Sequence, residues 1–525
     1  MTDVRYSRKL GIVCCALLCV ALVFAGTPAS AQNTDAETLA RIDAHVERVM
    51  AMLDIRGVAV GIVQGDTVVH LKGYGRADED GRAMTPQTPV VLASISKSFT
   101  GLAIQQLVEA GQLEIGTPVA DILDWFPYPD IRVSHLLYQT GGFTTISGTS
   151  YLAGGRRDDG ALEDTMRRVV VDYPPVREPG VQFEYSNTNY DLLGLIVQVV
   201  SGQPYEAYVQ ANIFTPLGMT SSYTSLEAAQ AGGLSQGYTP VFDQMRPVDS
   251  VYSRGHIASA GLISSAEDMT RYHIALLNGG QYGDATVLSA EGVTALHTPG
   301  HMTDLWNGYG MGWWRYPFWA GVEDRGVYTV EYPYVLEHTG TANNYISYQY
   351  LVPARQLGIV VLVNSYDPTH ESLYYNLPNG IAELLIGYAE AAALPAREDF
   401  LTQNGLVVMR VLLAIWVVMA LLALRKIVLW WRDSSAKPRS ALRRLAAIAI
   451  PALLDVGVLV LVLVILPPSA DSTIDSILAY LPETPILLYG LIGLAAGWGA
   501  IRTLLYVALL VLNRQPQPVA NIASR

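Results

Sequence analysis

Ser94 and Lys97 stand three residues apart in Ala93-Ser-Ile-Ser-Lys-Ser-Phe99. They head a run whose apolar positions (Leu102, Ile104, Leu107, Val108) follow helical spacing until Gly111. Residues three apart on a helix sit one above the other, so the Lys97 ammonium can reach the Ser94 hydroxyl. A serine hydroxyl becomes a useful nucleophile only when a neighbour takes its proton, and a desolvated lysine can be that neighbour. The free N–H groups at a helix N-terminus also favour developing negative charge. An isolated S-x-x-K equally describes an N-cap serine followed by a surface lysine, so the pair needs partners elsewhere in the chain.

Two further motifs supply them. Tyr185-Ser-Asn187 offers a phenol and an amide, and Glu337-His-Thr-Gly-Thr341 places His338, Thr339 and Gly340 before a predicted strand. In the order S-x-x-K, Y-x-N, H-T-G they match the pattern of penicillin-recognising serine hydrolases. The blocks Leu92–Thr100, His135–Gly142, Tyr185–Tyr190, Pro216–Met219, Ala260–Asp268 and Tyr309–Trp313 extend the match. Over about residues 36–390 the chain resembles the β-lactamase-related serine hydrolase family, which groups class C β-lactamases, DD-peptidases, D-amino-acid peptidases and esterases.

The resemblance implies an α/β, β-lactamase/transpeptidase-like fold: an antiparallel sheet flanked by helices, with a helical subdomain. It implies Ser94 as the acylated nucleophile, Lys97 as its base and Tyr185 as the proton carrier to the leaving group. Asn187 would bind the acyl-side amide, and the strand at Thr339, Gly340 and Thr341 would hold the substrate. The N–H groups of Ser94 and Thr341 would form the oxyanion hole. No cofactor is implied. His338 stands where β-lactamases usually carry lysine, and histidine is mostly neutral at pH 7. This departure favours the D-alanyl-D-alanine carboxypeptidase and D-amino-acid peptidase branches, with a carboxylesterase or a weak class C-like β-lactamase as alternatives. For terminal-carboxylate binding in the first of these, Arg315 is a candidate. Thr140-Gly141-Gly142 departs from the family's usual Thr-Ser-Gly.

Competing chemistry is weaker. Gly233-Leu-Ser235-Gln-Gly237 matches the nucleophile-elbow motif G-x-S-x-G, but no strand precedes it and no helix follows. The nine histidines form no HExxH and no close pair, so no metal site is expected.

The positioning elements follow from periodicity. A helix is predicted over 36–54, strands over 57–63 and 67–71, and the helix carrying Ser94 and Lys97 over 94–110. Further helices fall at 190–201, 205–212 and 266–277, and a strand at 309–314. A hairpin joins 345–352 to 358–363, and a last helix runs over 373–393. Strands at both ends with helices between suggest a sheet closed by the two ends of the domain.

Residues 1–31 read as a secretion signal: Arg5, Arg8 and Lys9, then an apolar run to Ala25, then Ala29-Ser-Ala31. All three cysteines lie inside it, so the processed chain has no thiol chemistry. The hydrolase region spans 32–393 and a linker 394–405. Runs at 406–424, 445–466 and 485–512 are each long enough to cross a bilayer. Seven basic residues between the first two runs (Arg425 to Arg444) place that loop in the cytoplasm, and the hydrolase region outside. The formal net charge of −13 is concentrated before Gly405, which argues against nucleic acid as a partner. The expected partners are a lipid bilayer and a small peptide, amide or ester substrate. From another functional class comes a penicillin-sensing receptor, although the cytoplasmic loop is too short to hold a signalling domain. Asp455 and Arg502 sit inside apolar runs, as a structural pair or as a functional site.

Overall fold

The computed structural model describes residues 35–151, 156–317, 334–391, 395, 398, 400–465, 478 and 481–512. The predicted leader and residues 394, 396, 397 and 399 of the predicted linker lie outside the described residues, while 400–405 of that linker already form the start of a helix. α1 (Ala36–Leu53) is capped by Asp35, whose side chain accepts from the Thr38 N–H at 2.7 Å. It leads into the hairpin of β1 (Gly57–Gln64) and β2 (Thr67–Gly75). A single 3₁₀ turn at Ala93–Ile95 runs into α2 (Ser96–Glu109). α3 (Asn187–Ser201) and α4 (Ala266–Leu277) pack around it.

The remaining sheet strands are β3 (His301–Met302), β4 (Gly308–Tyr309), β5 (Trp314–Pro317), β6 (Tyr334–Thr341), β7 (Ile346–Val352) and β8 (Leu357–Val363). Their order is β2-β1-β8-β7-β6-β5-β4-β3, antiparallel at every pairing. β1 and β8 are neighbours, so the two ends of the domain close the sheet. Both faces are covered, and residues alternate between them. Val58, Val60, Ile62, Ile359 and Val361 pack against α1 and α5 (Asn376–Leu385). Ala59, Val360 and Leu362 face the larger helical layer, which holds Phe99, Leu102, Leu193 and Ile196. Every residue of α2 from Ser96 to Gln105 is buried. A helix buried all round is a central one, and this one fixes Lys97 in the interior.

Three expectations change. The predicted strand over 309–314 breaks into β4 and β5, because Gly312 turns with φ +83° and a Cβ there would meet the Lys97 carbonyl at 2.4 Å. The predicted helix over 373–393 is two pieces, Glu371–Tyr374 and α5, and the second ends by residue 386. Gly387 adopts φ +99° and the Tyr388 N–H folds back to the Glu383 carbonyl at 3.1 Å, a glycine C-cap. His338-Thr339-Gly340 lies inside β6 rather than before a strand.

Beyond the sheet, α6 (Phe400–Arg432), α7 (Ala441–Val460, continuing to Ile465) and α8 (Thr484–Ile492, continuing through Leu512) are long and apolar enough to cross a membrane. Arg502 ion-pairs with Asp455, whose other carboxylate oxygen accepts from the Trp416 indole at 3.1 Å. The two charges thus tie three helices together, as a structural pair. Near the start of α6, Arg410 bridges Glu483 at 2.7 Å and Asp243, which precedes the sheet's β3, at 2.6 Å.

Candidate active site

Ser94 stands in a turn that the chain adopts under strain. Ala93 has φ +47°, a left-handed conformation costing a residue with a Cβ about 1–2 kcal/mol. The turn is held from outside: the Leu92 N–H donates to the Leu262 carbonyl at 2.9 Å, and the Leu262 N–H to Ser96 Oγ at 3.0 Å. One helical turn on, Lys97 is fully buried. Its Nζ reaches three acceptors: Asn187 Oδ1 at 2.6 Å, the Ser259 carbonyl at 2.9 Å and Ser94 Oγ at 3.1 Å. Burial pushes its pKa down to about 7, against an opposing pull from the Asp191 carboxylate. A neutral amine has two N–H donors and one lone pair. The amide and carbonyl oxygens can only accept, so the lone pair is left for the Ser94 hydroxyl proton.

Asn187 is the first residue of α3, and its Nδ2 donates to the Gly148 carbonyl at 3.1 Å. That fixes which way its amide points. The start of α3 is held by Gln139, whose Oε1 accepts from the Ser186 N–H at 3.0 Å and from Asn189 Nδ2 at 2.6 Å. Here the departure at Gly141 has a reason: a Cβ there would sit 2.5 Å from Asn189 Oδ1. Tyr185, just upstream, places its ring 4.8 Å from Lys97 Nζ and lines the cavity beside Ser94.

β6 forms the opposite wall. β5 pairs with it only as far as Glu337, so from His338 onward that edge faces the cavity. Gly340 allows the approach: a Cβ there would lie 1.9 Å from the Leu92 carbonyl and 3.0 Å from the Ser94 nitrogen. His338 Nδ1 faces the Thr339 carbonyl at 2.8 Å, so Nδ1 carries the proton and Nε2 accepts from the Tyr309 hydroxyl at 3.2 Å. Burial, then the nearby Lys97 ammonium, push its pKa down to about 3, and the imidazole is neutral. It supplies no cation.

The cavity holds about 630 Å³ and is lined by Ser94, Tyr185, Thr339 and Thr341 among others. Arg315 is not among its lining residues; its guanidinium stacks over the Tyr334 ring at 4.1 Å, although Trp314 and Tyr316 on either side do line it. Two acids missed in the sequence, Glu337 and Glu371, line it instead. Burial raises the pKa of both. Thr339 donates its hydroxyl proton to Glu337 Oε1 and accepts from the Tyr375 hydroxyl at 3.1 Å, while Tyr316 donates to Glu337 Oε2 at 2.8 Å. Among the described lining residues there is no arginine or lysine. Glu337 was legible as the residue before His338, whereas no sequence signal marks Glu371, Tyr375 or the Ser259 carbonyl. Ser235, of the G-x-S-x-G match, is buried away from the cavity between a helix (Leu226–Ala231) and a strand (Tyr238–Val241), the reverse of a nucleophile elbow.

Known proteins resemble this chain in sequence and fold. Protein flp of Staphylococcus aureus (strain COL) is 31% identical over 340 residues, covering 62% of each chain. The chain thus spans less than two thirds of the length of that relative. A protein of Escherichia coli O157:H7 named "Putative D-alanyl-D-alanine carboxypeptidase" is 28% identical over 303 residues, 49% of this chain and 67% of that one. Among solved structures, the octameric penicillin-binding protein homologue from Pyrococcus abyssi superposes with a TM-score of 0.59 at 27% identity, covering 68% of this chain and 79% of that one. The Beta-lactamase family model matches residues 42–377, which carry all the residues of the cavity described above, and the chain belongs to that family.

Proposed function

We propose that this chain is a membrane-anchored serine hydrolase that cleaves amide or ester bonds through an acyl-enzyme, with its active site outside the cytoplasm. The observation that carries this reading is the fully buried Lys97, with Asn187 and Ser259 occupying two of its positions and Ser94 the third. Neutral Lys97 takes the Ser94 proton as Oγ attacks the carbonyl carbon. The N–H groups of Ser94 and Thr341 receive the oxyanion. Tyr185 passes a proton to the leaving group, and on deacylation it activates the attacking water. Asn187 holds the acyl-side amide.

On substrate, the family resemblance and the similarity to the Escherichia coli protein support D-amino-acid-containing peptides. The terminal-carboxylate branch of that reading is disfavoured by one feature: Arg315, its candidate arginine, stacks on Tyr334. A wall of two carboxyl groups and tyrosines suits an amide, ester or amine end better than a carboxylate. The seven basic residues between the first two membrane helices support an external catalytic region.

The test is acyl-enzyme trapping on the full chain in detergent, with a fluorophosphonate and with a p-nitrophenyl ester. Mass spectrometry should place one adduct on Ser94, and Ser94→Ala should lose both adduct and turnover. An adduct on Ser235, or full turnover in Ser94→Ala, would refute the reading.

A further inference from the structure

Behind Lys97 lies a buried pair that the proposed acyl transfer does not use. Asp191, on α3, has no exposed surface, and His256 is 2% exposed. Their side chains meet at 2.8 Å, Nδ1 to Oδ2, from positions 65 residues apart. His256 Nε2 faces the Ser150 carbonyl at 3.1 Å. A carbonyl can only accept, so Nε2 is protonated; Nδ1 then shares a second proton with the carboxylate, and the pair carries no net charge.

The same carboxylate grips Ser259 twice. Asp191 Oδ1 accepts from the Ser259 backbone N–H at 2.9 Å, and Oδ2 accepts from its hydroxyl at 2.9 Å. The Ser259 carbonyl is the one that receives a Lys97 N–H. A continuous chain of contacts therefore runs from His256 through Asp191 and Ser259 to the base.

We propose that Asp191 and His256 form a positioning pair for Lys97: Asp191 aims the Ser259 carbonyl at Nζ, and the pair's charge balance sets the pH at which Lys97 gives up its proton. This rests on the hydrolase reading above. The groups that face Lys97 are Asp191 and Tyr190 on α3, Tyr185 before it, His338 on β6 and Ser94 on its own turn. Asp191 is the one charged neighbour among them that favours the ammonium, since His338 is neutral. The charge of Asp191 is in turn balanced by His256.

Opposite substitutions should therefore have opposite effects. Asp191→Asn keeps the shape and an acceptor for the Ser259 N–H but removes the charge, so the acid limb of kcat/KM moves down by about one pH unit. His256→Asn keeps a donor toward Asp191 but removes the balancing proton, leaving a bare buried carboxylate. Its acid limb moves up by a similar amount.

The experiment follows p-nitrophenyl butyrate hydrolysis by the full chain in detergent between pH 5 and 9, with Ser94→Ala as the blank and thermal melting as the check on folding. Limbs displaced in opposite directions support the proposal. Unmoved limbs, or limbs displaced the same way, overturn it, because a purely structural role lowers kcat and Tm without reversing sign. Should Asp191→Asn fail to melt cooperatively, the upward shift in His256→Asn decides alone. Ser94-independent turnover would overturn the hydrolase reading itself; Ser94-dependent turnover with unmoved limbs overturns only this inference.

Discussion

Lys97 Nζ lies closer to Asn187 Oδ1, at 2.6 Å, than to Ser94 Oγ, at 3.1 Å. The amide is thus the nearer partner of the base, and Asn187 orients the amine. Because an amide oxygen is uncharged, it holds the amine without holding its proton.

Asn187→Asp tests this directly. A carboxylate in that place favours the ammonium, so the Lys97 pKa rises from about 7 by about 1–3 units. Hydrolysis of an activated ester at pH 7 should fall at least about fivefold and rise again toward pH 9. A pH–rate profile that stays unchanged would show that Lys97 is not the base.

Without substitution, the acid limb of kcat/KM should lie near pH 7, where Lys97 changes charge. Lys97→Met should lower the rate by about 10²–10⁴ at every pH, and Lys97→Arg should not restore it, since a guanidinium stays protonated. Stopped-flow acylation with a p-nitrophenyl ester measures both.

Gly340→Ala should lower turnover by about 10²-fold. Its Cβ would collide with backbone atoms of the Leu92–Ser94 turn, the Leu92 carbonyl at 1.9 Å, so β6 must withdraw from Ser94. Displacing donors by about an ångström costs about 10²-fold in rate. Paired melting and rate measurements should find the rate loss to be the larger effect, in a chain that still folds.

Substrate preference follows from His338 and Glu337. With a neutral imidazole and a carboxyl-lined wall, p-nitrophenyl esters and D-amino-acid amides should be turned over faster than a chromogenic cephalosporin. Competition assays with substrate pairs differing only in a terminal carboxylate or carboxamide should favour the carboxamide. A preference for the carboxylate would restore the carboxypeptidase branch.

Stability should fall with acid in a definite window. His273, His297 and His338 are buried and neutral, each with its pKa pushed down to about 3 by desolvation. In the unfolded chain they titrate near 6.5. Between these values the unfolded state binds more protons, so stability rises with pH across the window and is lost as pH falls from about 6.5 toward 3. Each contributes a slope of about 1.4 kcal/mol per pH unit at most. Melting of the full chain should drop steeply below pH 6, and His273→Gln, removing one such group, should flatten the decline. An acid-insensitive Tm would contradict this.

What the sequence determined by itself is what short-range periodicity encodes. The Ser94–Lys97 spacing, the helices over 36–53 and 266–277, the 346–363 hairpin and three long apolar runs all depend on contacts within a few residues, or on hydropathy alone. The tertiary structure decided everything that closes over longer separations. It brought the Ser259 carbonyl to Lys97 across 162 residues and His256 to Asp191 across 65. It also turned Arg315 onto Tyr334 and away from the cavity, leaving Glu337 and Glu371 in the wall. Side-chain direction on a short, twisted strand depends on which neighbours pack each face, and no local pattern carries that information.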